Sequence, residues 1–265
     1  MKGNLIIKPG SRVARAYRGT VDVAHEVARI EKELRAQADP VRSENEKRYL
    51  KSDFVHVGVP MGPLRKIAVS AVRGKPDRED VLALAEALWT TTESGRPVHE
   101  LRMSAIEILI RRVAVLDADD LGFAERLIRD SASWVYVDGL AEKVVGGLVV
   151  RIPELAAVLD RWVGDPYFWI RRTAMLALLA GVRAGDPDLD RVSAYGDELI
   201  GEREFFIRKA LGWVLRELSK KGHADWVRDW VAARTGTISG VSIREAVRHL
   251  PPADADRLLT AYKAR

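Results

Sequence analysis

The 265-residue chain contains no cysteine, which excludes disulfides, thiolate nucleophiles and Cys-ligated zinc. Histidine is sparse: His25, His56, His99, His223 and His249 are scattered, with no HxxxH or HxH spacing. No His-based metal motif is present, and neither a metal nor another cofactor is expected. No apolar run approaches the roughly 20 residues of a membrane span, so no membrane partner is expected and a cytoplasmic location is. The opening MKGNLIIKPGSRVARAYRGT lacks the apolar stretch of a secretory signal. It is Arg-rich and free of acid until Asp22, and reads as a basic arm lying against phosphates or as a solvated tail. Sustained strand alternation is missing too, so the fold is expected to be all-α.

With 47% hydrophobic and 31% charged residues, the chain has enough apolar surface for a packed interior. Lys and Arg number 43 against 38 Asp and Glu, a net charge of +5. That excess suggests a polyanionic partner without proving one.

Internal repetition is the most informative feature. Five segments (101–105, 137–141, 170–174, 207–210 and 243–246) share an aliphatic residue, a charge and then an alanine. The alanines stand at 105, 141, 174, 210 and 246, giving steps of 36, 33, 36 and 36. This spacing suits a helix–turn–helix unit of the HEAT class. The expected fold is therefore a curved HEAT-like solenoid of antiparallel helix pairs with a concave basic face. It is read as a single domain over residues 23–265 behind a basic arm at 1–22. Helices are predicted over residues 24–38 and 45–50. The two prolines and two glycines of 57–63 predict a turn. A helix over 167–181 is introduced by Asp165-Pro166 and ended by Gly181. Another over 204–221 is stopped by Gly222.

In the register where other repeats carry Arg102, Arg171, Arg208 and Arg244, the second repeat carries Asp138. Trp134 lies four residues earlier, on the same helical face. The pair reads either as an aromatic-plus-carboxylate site for a cation, or as an Asp paired with a neighbouring repeat's Arg beside a core Trp. Spacing alone favours the second. Trp213 sits in a strongly basic helix with Arg208, Lys209 and Arg216, one residue after Gly212. A mid-helix glycine there suggests close approach by another backbone or a ligand. Arginines recurring once per repeat either track a phosphate backbone or form ion pairs between repeats.

Several separated blocks, in order from about 46 to 250, resemble the AlkD-type DNA alkylation repair glycosylases. Arg48-Tyr49-Leu50 with Gly58 resembles the family's early Tyr-containing segment. Ser133-Trp134-Val135-Tyr136-Val137-Asp138 is similar to its Ser-Trp-x-x-x-Asp motif, which implies that Trp134 and Asp138 are active-site residues. Trp169-Ile170-Arg171-Arg172 resembles its Trp-x-x-Arg segment and implies a DNA contact at Arg172. The block 204–217 implies a second active-site tryptophan at Trp213, and Ser242-Ile243-Arg244 resembles the terminal repeat. The chain departs from the family in lacking paired tryptophans before Asp138. After Gly58 it also lacks a Thr-Pro-Glu-Arg turn, though Arg65 and Lys66 remain.

The resemblance implies a monofunctional, monomeric glycosylase acting on double-stranded DNA that carries cationic N3- or N7-alkylated purines, bulky adducts included, without conventional base flipping. Its catalytic residues would be Asp138, Trp134 and Trp213. Its DNA contacts would be Arg172, Arg171, Arg208, Arg216, Tyr49, Arg65, Lys66 and Arg244. Two other readings stay open from the sequence: a HEAT-repeat protein that binds distorted or branched DNA without catalysis, and a protein-binding scaffold.

Overall fold

The computed structural model describes residues 21–265; the expected basic arm lies, apart from Val21 and Asp22, outside the described residues. The repeat motif is the packing seam. Its aliphatic members Leu101, Val137, Ile170, Ile207 and Ile243, and its alanines Ala105, Ala141, Ala174, Ala210 and Ala246, are all fully buried. An alanine at each contact lets neighbouring helices approach closely, while the larger aliphatic fills the groove beside it.

These residues lie on a first rank of helices, each packed on the next. The rank runs His99–Arg112, then Trp134–Gly139, which continues through a wide π-turn at Leu140–Val145 into Gly146–Arg151. Phe168–Ala177, Phe205–Leu218 and Gly240–Ala246 follow. A second rank alternates with it along the chain: Leu121–Arg129, Ala156–Trp162, Leu189–Leu199, Ala224–Ala232 and Pro252–Lys263. At the front, Val23–Arg35, Met61–Ser70 and Arg78–Thr90 pack together, and the latter two also pack on His99–Arg112. Among the described residues the only strand pair is the short hairpin Thr92–Glu93 with Arg96–Pro97. The fold is the expected all-α, HEAT-like solenoid.

Local chemistry explains where the helices start and stop. The Asp22 carboxylate accepts from His25 N–H, and Asp39 accepts from Val41 and Arg42 N–H, satisfying backbone donors that a helix start leaves free. The Asp39 cap and Pro40 start the second helix at Pro40, earlier than expected. The turn expected over 57–63 is shorter than that. Residues 57–60 form no regular element, and a helix begins at Met61. Pro63 falls in its first turn, where a missing N–H leaves no gap in the helical bonding. Gly58 is required there: its φ is +87°, and a Cβ would run into the Asp39 carbonyl. Gly181 does not end its helix. The segment Leu179–Ala184 passes through it and stops at Gly185, whose φ of +85° makes the left-handed cap. Gly222, at φ +94°, does break the chain between Phe205–Leu218 and Ala224–Ala232.

Ion pairs also link segments about one repeat apart in the chain. Arg78–Asp120 (2.7 Å), Arg129–Asp165 (2.6 Å), Arg191–Asp160 (2.9 Å) and Arg234–Asp197 (2.5 Å) each join one repeat to a neighbour. The more exposed of them, Arg191–Asp160 and Arg234–Asp197, are each worth at most about 1 kcal/mol. Their larger effect is to engage arginines that composition alone would assign to a polyanion.

Glycine substitutions test the seam. A Cβ on Gly146 would sit 2.5 Å from the Ala177 carbonyl oxygen and 2.9 Å from Ala180 Cβ, whereas one on Gly122 meets nothing within 4 Å. Gly146→Ala is expected to lower the unfolding free energy by about 1–3 kcal/mol. Gly122→Ala should raise it by about 0.5–1 kcal/mol through helix propensity. Urea denaturation of both variants checks this; equal effects would remove the close approach at Gly146 from the account.

Candidate active site

The segment before the first-rank helix of the second repeat turns sharply: Ala132 has φ +48° and Ser133 is extended. The helix therefore starts at Trp134 and carries Asp138 one turn later on the same face. Val137, Leu140 and Ala141 are fully buried beneath them. A Cβ on Gly139 would lie 3.1 Å from Ile106 Cγ2, so this helix is pressed onto the preceding repeat. The π-turn directly after Asp138 inserts extra backbone into one turn, a feature that recurs at functional sites.

Asp138 is met from the next repeat by Arg172. Arg172 Nε donates to Asp138 Oδ1 at 2.8 Å and its second nitrogen donates to Oδ2 at 2.9 Å. The remaining guanidinium nitrogen donates to the Phe206 carbonyl, and the group lies 5.8 Å from the Phe206 ring centroid. Arg172 is 2% exposed. It therefore stands behind the carboxylate and not at the surface, where a phosphate would meet it. Of the two sequence readings of this pair, the carboxylate follows the one in which a neighbouring Arg holds it. Trp134 does not follow that reading into the core. It is half-buried, with the Tyr49 ring edge-on at 6.2 Å.

Trp213 arrives from two repeats further on, on Phe205–Leu218. It joins Tyr49, Trp134, Asp138 and Arg172 around one cleft of about 400 Å3. Gly212, beside it, serves the backbone: a Cβ there would lie 2.9 Å from the Ser242 carbonyl oxygen and 2.7 Å from Glu245 Cβ. The sequence reading missed three residues that complete the wall, Phe205, Phe206 and Lys209. An available signal was the aromatic pair at a helix start, one member of which, Phe205, is 53% exposed. Lys209 donates to Glu245 at 3.2 Å. Burial, together with the nearby cations Arg248, Arg216 and Arg172, pushes its ammonium below the usual lysine range.

The other expected DNA contacts are disposed unevenly. Arg171 pairs with Glu202 at 2.7 Å and donates to the Asp165 and Pro166 carbonyls. Arg208 donates to the Glu202 carbonyl at 2.7 Å, and Arg216 pairs with Glu217 and Glu245. Arg65 is exposed yet bidentate on Glu107. Lys66 and Arg244 are exposed, and Tyr49 is 74% exposed at the cleft rim. No helix among the described residues is long and apolar enough to cross a membrane.

A family profile described as "DNA alkylation repair enzyme" matches residues 30–250. No curated protein matches the chain. Among solved structures, a predicted DNA alkylation repair enzyme from Enterococcus faecalis is similar with a TM-score of 0.70 and 23% identity, over 82% of this chain and 98% of that one. AlkD2 from Streptococcus mutans is similar with a TM-score of 0.60 and 17% identity, over 86% of this chain and 99% of that one. At these identities the structural likeness speaks for the fold.

The Asp138–Arg172 pair yields a double-mutant prediction. Asp138→Asn leaves a buried guanidinium without its anion and is expected to destabilise by about 3 kcal/mol. Arg172→Met removes the other half at similar cost, and the double variant should lose little more than either single one. Thermal or urea unfolding of the four proteins measures the coupling; additive losses would show that the two groups do not depend on each other.

Proposed function

The chain belongs to the DNA alkylation repair enzyme family, and on that premise we propose that it is a DNA glycosylase hydrolysing the N-glycosidic bond of cationic N3- or N7-alkylated purines in duplex DNA. DNA is the partner this family implies. The observation that carries the finer reading is the meeting of Asp138, Trp134 and Trp213, from two helices far apart in sequence, in a single open cleft.

The chemistry follows from the charge already on the lesion. An N3- or N7-alkylated purine is a good leaving group, because the electron pair of the breaking C1′–N bond neutralises its positive charge. No general acid is needed. The difficulty moves to the deoxyribose, where positive charge develops as the bond lengthens. Asp138 presents a carboxylate whose orientation is fixed by two hydrogen bonds from Arg172. Each oxygen retains further acceptor capacity toward the cleft. A preorganised anion of this kind stabilises the sugar cation without reorganising. It also takes a hydrogen bond from the water whose oxygen bonds to C1′, and the proton released by that water passes to it or to solvent. Trp134 and Trp213 would face the sugar, adding cation–π attraction and excluding solvent.

Arg172 acts in this reading as a positioning residue. The DNA backbone falls to the exposed cations Lys66, Arg65 and Arg244 and to the outward edges of Arg171, Arg208 and Arg216, with Tyr49 at the rim. An open cleft favours a base that stays in or near the stack, and bulky cationic adducts would then be tolerated. Neutral lesions should be poor substrates. The protein would act as a monomer and leave an abasic site.

Base release decides the matter. Duplex DNA carrying N7-methylguanine or N3-methyladenine is incubated with the wild type and with Asp138→Asn, with circular dichroism confirming that both are folded at the assay temperature. Wild type is expected to release free base, and the variant to be slower by about 100-fold or more. Failure on every cationic lesion, a bulky one included, overturns the proposal. If DNA binding persists without release, the non-catalytic binding reading takes its place; equal release by the variant removes Asp138 from the mechanism.

A further inference from the structure

Behind the Tyr49 side of the cleft lies a second cluster of chemistry-bearing groups. The helix Pro40–Leu50, which carries Tyr49 at the cleft rim, has no buried residue of its own. It is tied down by polar contacts. Ser43 Oγ donates to the His56 carbonyl at 2.8 Å, and the N–H of Asp39, its N-cap, donates to the Val57 carbonyl at 3.1 Å. On its inward side Glu46 meets His56 and His99. One carboxylate oxygen and one nitrogen from each ring lie within 4.8 Å of one another.

Two features of this cluster ask for a ligand. Both ring nitrogens of His56 and Glu46 Oε2 are buried without a hydrogen-bond partner, and each such orphaned group is destabilising unless something satisfies it. His99, 6% exposed, has its Nδ1 2.7 Å from the Tyr136 hydroxyl. Donation from Nδ1–H to that oxygen leaves the Nε2 lone pair free, the arrangement by which a neighbouring acceptor orients a metal-binding imidazole. We propose that Glu46, His56 and His99 form a site for one divalent cation of the zinc type, held by two imidazole nitrogens and a carboxylate oxygen with a fourth position for water.

The physical requirements can be met. Tetrahedral zinc at its usual bond lengths sets ligand atoms about 3.4 Å apart, so the cluster must draw in by up to about 1.5 Å. The two rings are stacked, with centroids 4.5 Å apart and planes at 15°. His99 is fixed by Tyr136, so half-buried His56 is the ring that would rotate. The surrounding charge is mixed. The Glu100 carboxyl lies near Glu46 and His56, Arg42 pairs with Glu46, and Lys47 lies near His56. Glu100 is occupied by the Val57, Gly58 and Val59 N–H groups. The cation would replace Arg42 as partner of Glu46. The three ligands come from segments far apart in the chain, so no spacing pattern could announce them. A bound cation would staple the Tyr49-bearing helix to the helix His99–Arg112.

The full-length protein, stripped with a chelator and dialysed, is titrated with zinc by calorimetry, and with cobalt(II) for the visible spectrum of a tetrahedral site. One equivalent is expected to bind and to raise the melting temperature by about 5 °C at a hundredfold excess over Kd. Glu46→Gln and His56→Ala should each abolish stoichiometric binding and the spectrum, while His223→Ala retains both. Absence of stoichiometric binding by the wild type, or unchanged binding by the folded Glu46→Gln and His56→Ala proteins, overturns the proposal. These readouts do not involve DNA, so they succeed or fail independently of glycosylase activity.

Discussion

One buried alanine per repeat lets successive first-rank helices pack closely, and the meeting of Asp138, Arg172 and Trp213 follows from it. With Ala141 and Ala174 at the contact, and Gly146 against the Ala177 backbone, the second and third repeats come close enough for Arg172 to reach across to Asp138. With Ala210 and Gly212 at the next contacts, the fourth repeat turns Trp213 and Lys209 toward the same space. A larger residue at these points would lengthen the spacing and separate the carboxylate from its guanidinium. The side of the cleft that holds Asp138, Arg172 and Trp213 is thus a product of close helix packing along the seam, while Tyr49 comes from the helix Pro40–Leu50 outside it.

Charge in this molecule does two jobs that composition cannot separate. Much of the arginine content is engaged between repeats, as Arg129 with Asp165 and Arg234 with Asp197 show. Other cations, Lys66 and Arg244 among them, are left exposed at the surface. A modest net positive charge is therefore compatible with a face that is locally basic, because paired charges cancel where they stand.

The repeat period, the all-α fold and the buried seam were legible because helix packing repeats a small set of residue types at fixed intervals. Asp138, Trp134 and Trp213 stood out for a different reason: a carboxylate interrupted a basic register, and separated blocks resembled one family. What the sequence could not disclose was which arginine faced the carboxylate. The motif register set Asp138 level with Arg171, yet Arg172, one residue on and about 100° further round the helix, is the one that turns inward. Helix ends were similarly mixed. Gly222 breaks the chain as its type suggests, whereas Gly181 lies within a helix because its missing Cβ makes room for the returning chain at Asp186. Composition identifies a glycine, but only the neighbouring backbone decides what it is for.

Arg172 joins three repeats at one point: its own, that of Asp138, and that of the Phe206 carbonyl. Each repeat of a solenoid contacts only its neighbours, so bending of the molecule loads those interfaces like a bow. Because the guanidinium is bolted to both neighbours, such bending cannot open the seam without tugging on the carboxylate. Strain at these two interfaces is in this way carried to Asp138, and the stiffness of one arginine side chain sets how faithfully.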